Sequence, residues 1–322
     1  MPRSKFYKLV VPLSFVIGAL LVLVAAVVLT KVAPAPDPVA HKSAPKQHVQ
    51  RPVQPKPKET FPKMGEPIFP TYRLVALYGS PGAPRLGVLG ERSAADAINL
   101  AKQYAADYQA YSAEKIMPAM EIITTVASAS PTENGDYSNE VDAGIIQPWI
   151  DAAREAGVYV VLDLQPGRTD FLSQAKMYEG LLKQTNVGLA LDPEWRLAPN
   201  QVHMKKIGSV DVAEVNATSA WLADVVKQNQ LPQKVFLLHQ FRNSMITNRA
   251  ALDVSHAELG YVIQMDGNGA QSTKQSTWNT IRQGAPANVQ FGWKNFIDED
   301  KPMLTPEQTM QVVPKPWYVS YQ

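Results

Sequence analysis

The chain has 322 residues, 45% of them hydrophobic and 19% charged, with no cysteine. That length allows one large core of about 250 residues plus accessory segments, and the missing cysteines exclude disulfide staples, thiolate zinc sites and a cysteine nucleophile. The net charge of +2 divides unevenly: residues 1–70 hold ten Lys/Arg against three Asp/Glu, residues 71–322 hold 21 against 26, and so mildly acidic a folded part is not expected to bind nucleic acid.

Arg3, Lys5 and Lys8 form a short basic N-terminus over residues 1–8, followed by 22 uncharged residues, 9–30. That run is long enough to cross a bilayer and longer than a usual signal-peptide core. It predicts an uncleaved transmembrane signal anchor, residues 1–8 in the cytoplasm and the remainder outside; a cleaved signal peptide is the alternative. Residues 31–70 follow as a linker carrying ten prolines from position 33 onward, with lysines between them. Such a segment cannot offset its ordering entropy and is expected to stay extended, reaching on the order of 100 Å.

From residue 71 short apolar runs alternate with helical patterns. Strands are predicted at 72–78, 120–126, 158–164, 187–191, 234–241, 261–265, 289–293 and 317–321. Helices are predicted at 94–114, 142–156, 171–185, 212–229, 250–259, 275–283 and 305–313, several behind a Ser, Asp or Thr cap. Strict alternation argues for parallel strands with helical crossovers, and eight strands for an α/β fold closed as a (β/α)8 TIM barrel over 71–322. A doubly wound open sheet is the alternative, disfavoured because no glycine-rich dinucleotide turn follows any strand.

In such a barrel the chemistry sits at the C-terminal strand ends. The fourth strand ends Asp192-Pro-Glu194-Trp195, and period-two alternation sets Gly188, Ala190, Asp192 and Glu194 on one face. By the same parity Asp163 and Gln165 share a polar face on strand three, and Gln264, Asp266 and Asn268 on strand six. Four carboxylates, Asp163, Asp192, Glu194 and Asp266, are therefore expected at one mouth. Tyr78, Trp195, His239, Gln240, Trp293 and Trp317 stand at other strand ends, with His239 ambiguous because it shares parity with Val235 and Leu237. Glu121 sits deeper and is expected to pair with Arg73 or Lys294.

That inventory suits glycoside hydrolysis, which needs one protonated carboxyl and a second carboxylate. Glu194 is the expected acid, Asp192 its helper, and Asp266 or Asp163 the opposing group. Gln165, Gln264, Asn268 and His239 would meet hydroxyls, as would Tyr78 and Gln240, and Trp195, Trp293 and Trp317 would support sugar faces. The histidines stand alone, so no metal site is expected, and no cofactor motif or Gly-x-Ser-x-Gly elbow is present.

The layout over 71–322 resembles the glycoside hydrolase barrels. Asp192-Pro-Glu194 is similar to the end of the chitinase-type (family 18-like) Asp-x-Asp-x-Glu motif, with Asp266 and Trp317 echoing later positions. Ala190 stands where that motif has an Asp, and the Tyr before the strand-six Asp is missing. The resemblance implies an acid at Glu194 assisted by Asp192. Two functions are carried forward: a membrane-anchored extracytoplasmic glycosidase acting on a cell-surface or cell-wall polysaccharide, and a non-catalytic carbohydrate- or wall-binding barrel on the same tether.

Overall fold

The computed structural model describes residues 61–322. The expected membrane anchor at 9–30 and most of the expected linker lie outside the described residues. Among the described residues no helix is long and apolar enough to cross a membrane.

Eight parallel strands close into a barrel: β1 (Tyr72–Gly79), β2 (Lys115–Ala127), β3 (Tyr159–Leu164), β4 (Val187–Leu191), β5 (Lys234–Gln240), β6 (Leu259–Met265), β7 (Gln290–Asn295) and β8 (Tyr318–Tyr321). Each pairs with the next, and closure comes from β1, which pairs with both β8 and β2. A short antiparallel strand, Ser138–Glu140, adds to the end of β2. The open-sheet alternative is thereby excluded.

Outside the barrel lie α1 (Ala94–Gln109), α2 (Ala143–Ala156), α3 (Phe171–Met177), α4 (Glu179–Leu182), α5 (Val212–Gln228), α6 (Gln271–Arg282) and α7 (Pro306–Met310). Side chains of Ser93, Asp142, Asp170, Asp211 and Thr305 cap α1, α2, α3, α5 and α7 by accepting first-turn N–H bonds. Each such cap contributes about 1 kcal/mol. The helix expected at 250–259 does not form. A 3-10 turn, Arg249–Ala251, runs into extended backbone tied to α5, where Asn216 donates to the Ala251 carbonyl and accepts from the Asp253 N–H. Asp253 also accepts from the Ser255 N–H, an Asx turn that competes with helix.

Alternation divides every strand between two cores. Outward residues such as Val160, Leu162, Leu189, Leu191, Phe236 and Ile263 pack under the helices. Inward residues fill the barrel: Leu74, Ala76, Met117, Ala119, Tyr159, Val161, Ala190, Val235, Leu237, Val262 and Tyr318. Val235 and Leu237 face inward, which resolves His239 to the interior.

The far end of the barrel is plugged by residues expected to be linker. Ile68 is fully buried, Phe61 and Phe69 pack against the inner core, and the Ile68 N–H donates to Gln233. The folded unit therefore begins before residue 71. The low apolar content of the linker as a whole hides these three side chains, of which the fully buried Ile68 contributes roughly 1.5–3 kcal/mol and the half-buried Phe61 and Phe69 less.

Candidate active site at the barrel mouth

The β4 strand stops at Leu191 because Asp192-Pro193 turns the chain into a one-turn 3-10 segment, Pro193–Trp195. Glu194 thus reaches the mouth from a turn, not from a strand face. The turn is anchored on both sides: the Asp192 N–H donates to the Leu164 carbonyl, and the Gly208 N–H donates to the Glu194 carbonyl at 2.6 Å. Arg196 next to it pairs with Glu214 at 2.9 Å and donates to the Arg168 carbonyl, stapling this loop to its neighbour after β3.

At the mouth a cleft of about 460 Å³ is lined by Tyr78, Gln165, Asp192, Glu194, Trp195, Asp266, Asn268 and Lys294, with Ile123, Phe241 and Phe296 on its walls. Oxygens of Asp192, Glu194 and Asp266 come within 4.8 Å of one another. Asp266 is held between two cations: Lys294 Nζ lies 3.0 Å from Oδ1, and His239 Nδ1 lies 3.0 Å from Oδ2. Lys294 also stacks 3.6 Å from the centre of the Tyr78 ring.

A second polar layer lies beneath. His239 Nε2 meets Glu121 at 2.6 Å, and Tyr318 donates to the other Glu121 oxygen at 2.9 Å. Tyr78 donates to Asp163 at 2.8 Å. With both ring nitrogens against carboxylates, His239 has its pKa raised well above 6.5; burial opposes this, but Glu121 and Asp266 outweigh it. Glu121 therefore pairs with His239, not with Arg73 or Lys294; Arg73 sits near the other end, bonded to Glu114.

These surroundings separate the carboxyls. Burial, then repulsion from Asp266, pushes Glu194 up to about 7. Burial and the neighbouring Glu194 push Asp192 well above its ordinary value, and one of its oxygens has no hydrogen-bond partner. Burial raises Asp163 to about 6. Burial acts on Asp266 too, but Lys294 and His239 overcome it and hold this carboxyl well below the usual range. The mouth thus sets a carboxyl with a raised pKa, Glu194, beside one held toward the ionised form, Asp266.

The expected site residues divide into three groups. Tyr78, Gln165, Asp192, Glu194, Trp195, Asp266 and Asn268 meet at the cleft, and Asp163 and His239 form its floor. Gln264 faces inward but lies within the barrel, donating to Ser320; Gly292 opposite has no side chain because the Gln264 amide fills that space. Three others are not brought to the cleft. Gln240 points outward and accepts from Arg249. Trp293 points outward against Trp278, with ring centroids 5.6 Å apart. Trp317 precedes β8 at the opposite end, where Arg73 stacks on it at 3.8 Å.

Lys294 is the principal residue that sequence reasoning left out of the site. Its parity with Gly292, opposite to Trp293 and Asn295, was the available signal. Phe241, at the end of the strand predicted over 234–241, shares the parity of His239 and was legible by the same rule; Phe296, a loop position after β7, carried no signal.

Oxygen donors clustered as in Asp192, Glu194 and Asp266 are the ligand type a hard divalent cation would use. Lys294 and His239 already neutralise both Asp266 oxygens, which opposes a further cation there. The chemistry on offer is proton transfer and charge stabilisation.

The fold and site define a closed (β/α)8-type barrel with a carboxyl cluster at the C-terminal ends of its strands. No family model matches the chain, and no curated protein is significantly similar to it.

Proposed function

We propose that the protein is a glycoside hydrolase working by carboxylate acid/base chemistry. The observation that carries this reading is the meeting of Glu194 with Asp266 in one cleft, the second clamped by Lys294 and His239. Glu194 gives its proton to the glycosidic oxygen as the bond to the anomeric carbon breaks. Asp266 supplies the opposing negative charge, attacking that carbon or taking a proton from the attacking water. Asp266, with Asp163 beneath, repels the charged form of Glu194 and so helps it keep the proton, while Asp192, buried beside it and itself biased to the neutral form, flanks the acid. Trp195, Phe241 and Phe296 offer flat apolar surfaces for sugar rings.

Separations of about 5–5.5 Å accompany retention of configuration and about 6.5–9.5 Å inversion. The anomeric configuration of the first product decides between Asp266 as nucleophile and Asp266 as base. The uncharged run at 9–30 and the proline-rich stretch behind it support a membrane-tethered enzyme acting outside the cytoplasm on a cell-surface or wall polysaccharide. The test is a screen of the chain against surface and wall glycans with detection of released reducing ends. Release that disappears in Glu194→Gln supports the assignment, and release unchanged in that variant overturns it.

One observation favours the second reading, a carbohydrate-binding barrel without turnover. Both Asp266 oxygens already face cations, an arrangement that also suits a structural anchor. Glycan binding that depends on Trp195, with no product from any glycan, would select that reading.

A further inference from the structure

The cleft does not end at Glu194 and Trp195. These two residues also wall a second depression with Met204, Lys205, Lys206 and Ile207, and that one shares Lys205, Lys206 and Ile207 with a third. The third continues along Gly208 and Ser209 to Arg242 and Ser244. The three depressions adjoin through these shared wall residues, forming a grooved face beside the carboxyl cluster. Beyond Glu194 the linings of the second and third hold three cations and two hydroxyls and no acid.

That concentration stands out against a region, 71–322, in which acids outnumber bases 26 to 21. Lys205, Lys206 and Arg242 are exposed, and among the described residues none has a carboxylate within ion-pair distance. Unpaired cations elsewhere on a surface are solvated and inconsequential; here they share one concave lining. The groove is also fixed relative to the chemistry. Gly208 donates to the Glu194 carbonyl and Ser209 to the Arg196 carbonyl, and a side chain at Gly208 would collide with the Arg196 carbonyl. Trp195, at the junction, is braced edge-on by His203 with ring centroids 5.2 Å apart. The strand of backbone carrying the lysines is therefore tied to the residue that carries the acid.

We propose that this groove binds the negatively charged groups of an acidic polysaccharide, so that the glycan at the carboxyl cluster is polyanionic. The inference rests on the glycosidase reading and names the substrate class for that site. Neutral sugar rings bind over Trp195 and the cleft aromatics, while carboxylates or phosphates carried further along the chain lie against Lys205, Lys206 and Arg242. Complementary charge of this kind selects among substrates and is weakened by salt.

The test separates binding from turnover. Glu194→Gln protein is titrated calorimetrically with a polygalacturonate oligosaccharide, a phosphomannan oligosaccharide and a neutral β-glucan oligosaccharide of similar length. One polyanion is expected to bind at least about tenfold more tightly than the neutral chain, the preferred one telling carboxylate from phosphate. That advantage is expected to vanish when Lys205→Ala, Lys206→Ala and Arg242→Ala are added, and to shrink as salt rises from about 0.02 to about 0.5 M. Equal binding of neutral and anionic chains, an advantage that survives the triple substitution, or tighter binding of a single-stranded DNA of equal charge would each overturn the proposal. Absence of cleavage by the unsubstituted protein would instead defeat the glycosidase reading, leaving the binding comparison to stand by itself.

Discussion

Lys294 Nζ lies 3.0 Å from Asp266 Oδ1, and that contact largely decides which carboxyl at the mouth keeps a proton. With Lys294 and His239 beside it, Asp266 stays ionised, and its charge helps raise Glu194. Removing the amine should let the pair share protons less unequally. In Lys294→Met, kcat/KM is expected to fall by about 10²-fold. The acidic limb of its pH profile should also move upward, because Asp266 must now lose a proton it formerly never held. A pH–rate series on the released-sugar assay checks this, and an unmoved acidic limb would count against the assignment of Asp266.

As the proposed acid, Glu194 must be protonated to act, so activity should decline as pH rises through about 7. Glu194→Gln should lower turnover by about 10²–10⁴-fold.

The same residue sets a stability prediction of the opposite sign. Its folded pKa is raised above the unfolded value, so its contribution is fully present below about pH 4 and lost as pH rises through about 7. The glutamine variant escapes that loss. Its Tm should exceed the parent's by about 5 °C at pH 8 and match it near pH 4. Paired thermal melts at the two pH values read the difference directly.

Gly292 gives Gln264 its place inside the barrel. A methyl group there would meet the buried Gln264 amide, which is bonded to Ser320, and come to 3.0 Å from the Tyr318 carbonyl. Gly292→Ala should therefore cost about 1–3 kcal/mol, seen as a lower urea midpoint with an unchanged slope.

Two tryptophans should part company. Trp293 is buried against Trp278 and bonded to Asn295, so Trp293→Ala should cost about 3–5 kcal/mol of stability. Trp195 stands on the cleft wall, and Trp195→Ala should raise KM about tenfold or more with a smaller loss of stability. Melting curves beside glycan titrations separate the two effects.

Much of this fold was legible in the chain itself. Apolar runs of five to eight residues alternating with capped helical patterns are a local property, and period-two parity assigned Ala190 and Asp192 inward before any neighbour was known. The same rule, applied to Gly292 and Lys294, would have found the cation that polarises the site. It failed where a local pattern had a stronger competitor, as at 250–259, where Asp253 and Asn216 offer the backbone other partners than a helix.

What the sequence by itself determined was thus the barrel, its strand order and the arrival of Asp192 and Asp266 at one end. Parity names a face, but only closure of β1 onto β8 brings Glu121, Asp163, His239, Asp266 and Lys294, from five strands, within ion-pair reach of one another. Tertiary structure alone therefore joined Glu121 to His239 and Lys294 to Asp266 and gave the carboxyls opposite affinities for a proton; Trp317, first in the strand predicted at 317–321, already stood at the end away from the mouth. A pKa depends on distance to charges and on exclusion of water, and neither exists until the chain has closed on itself.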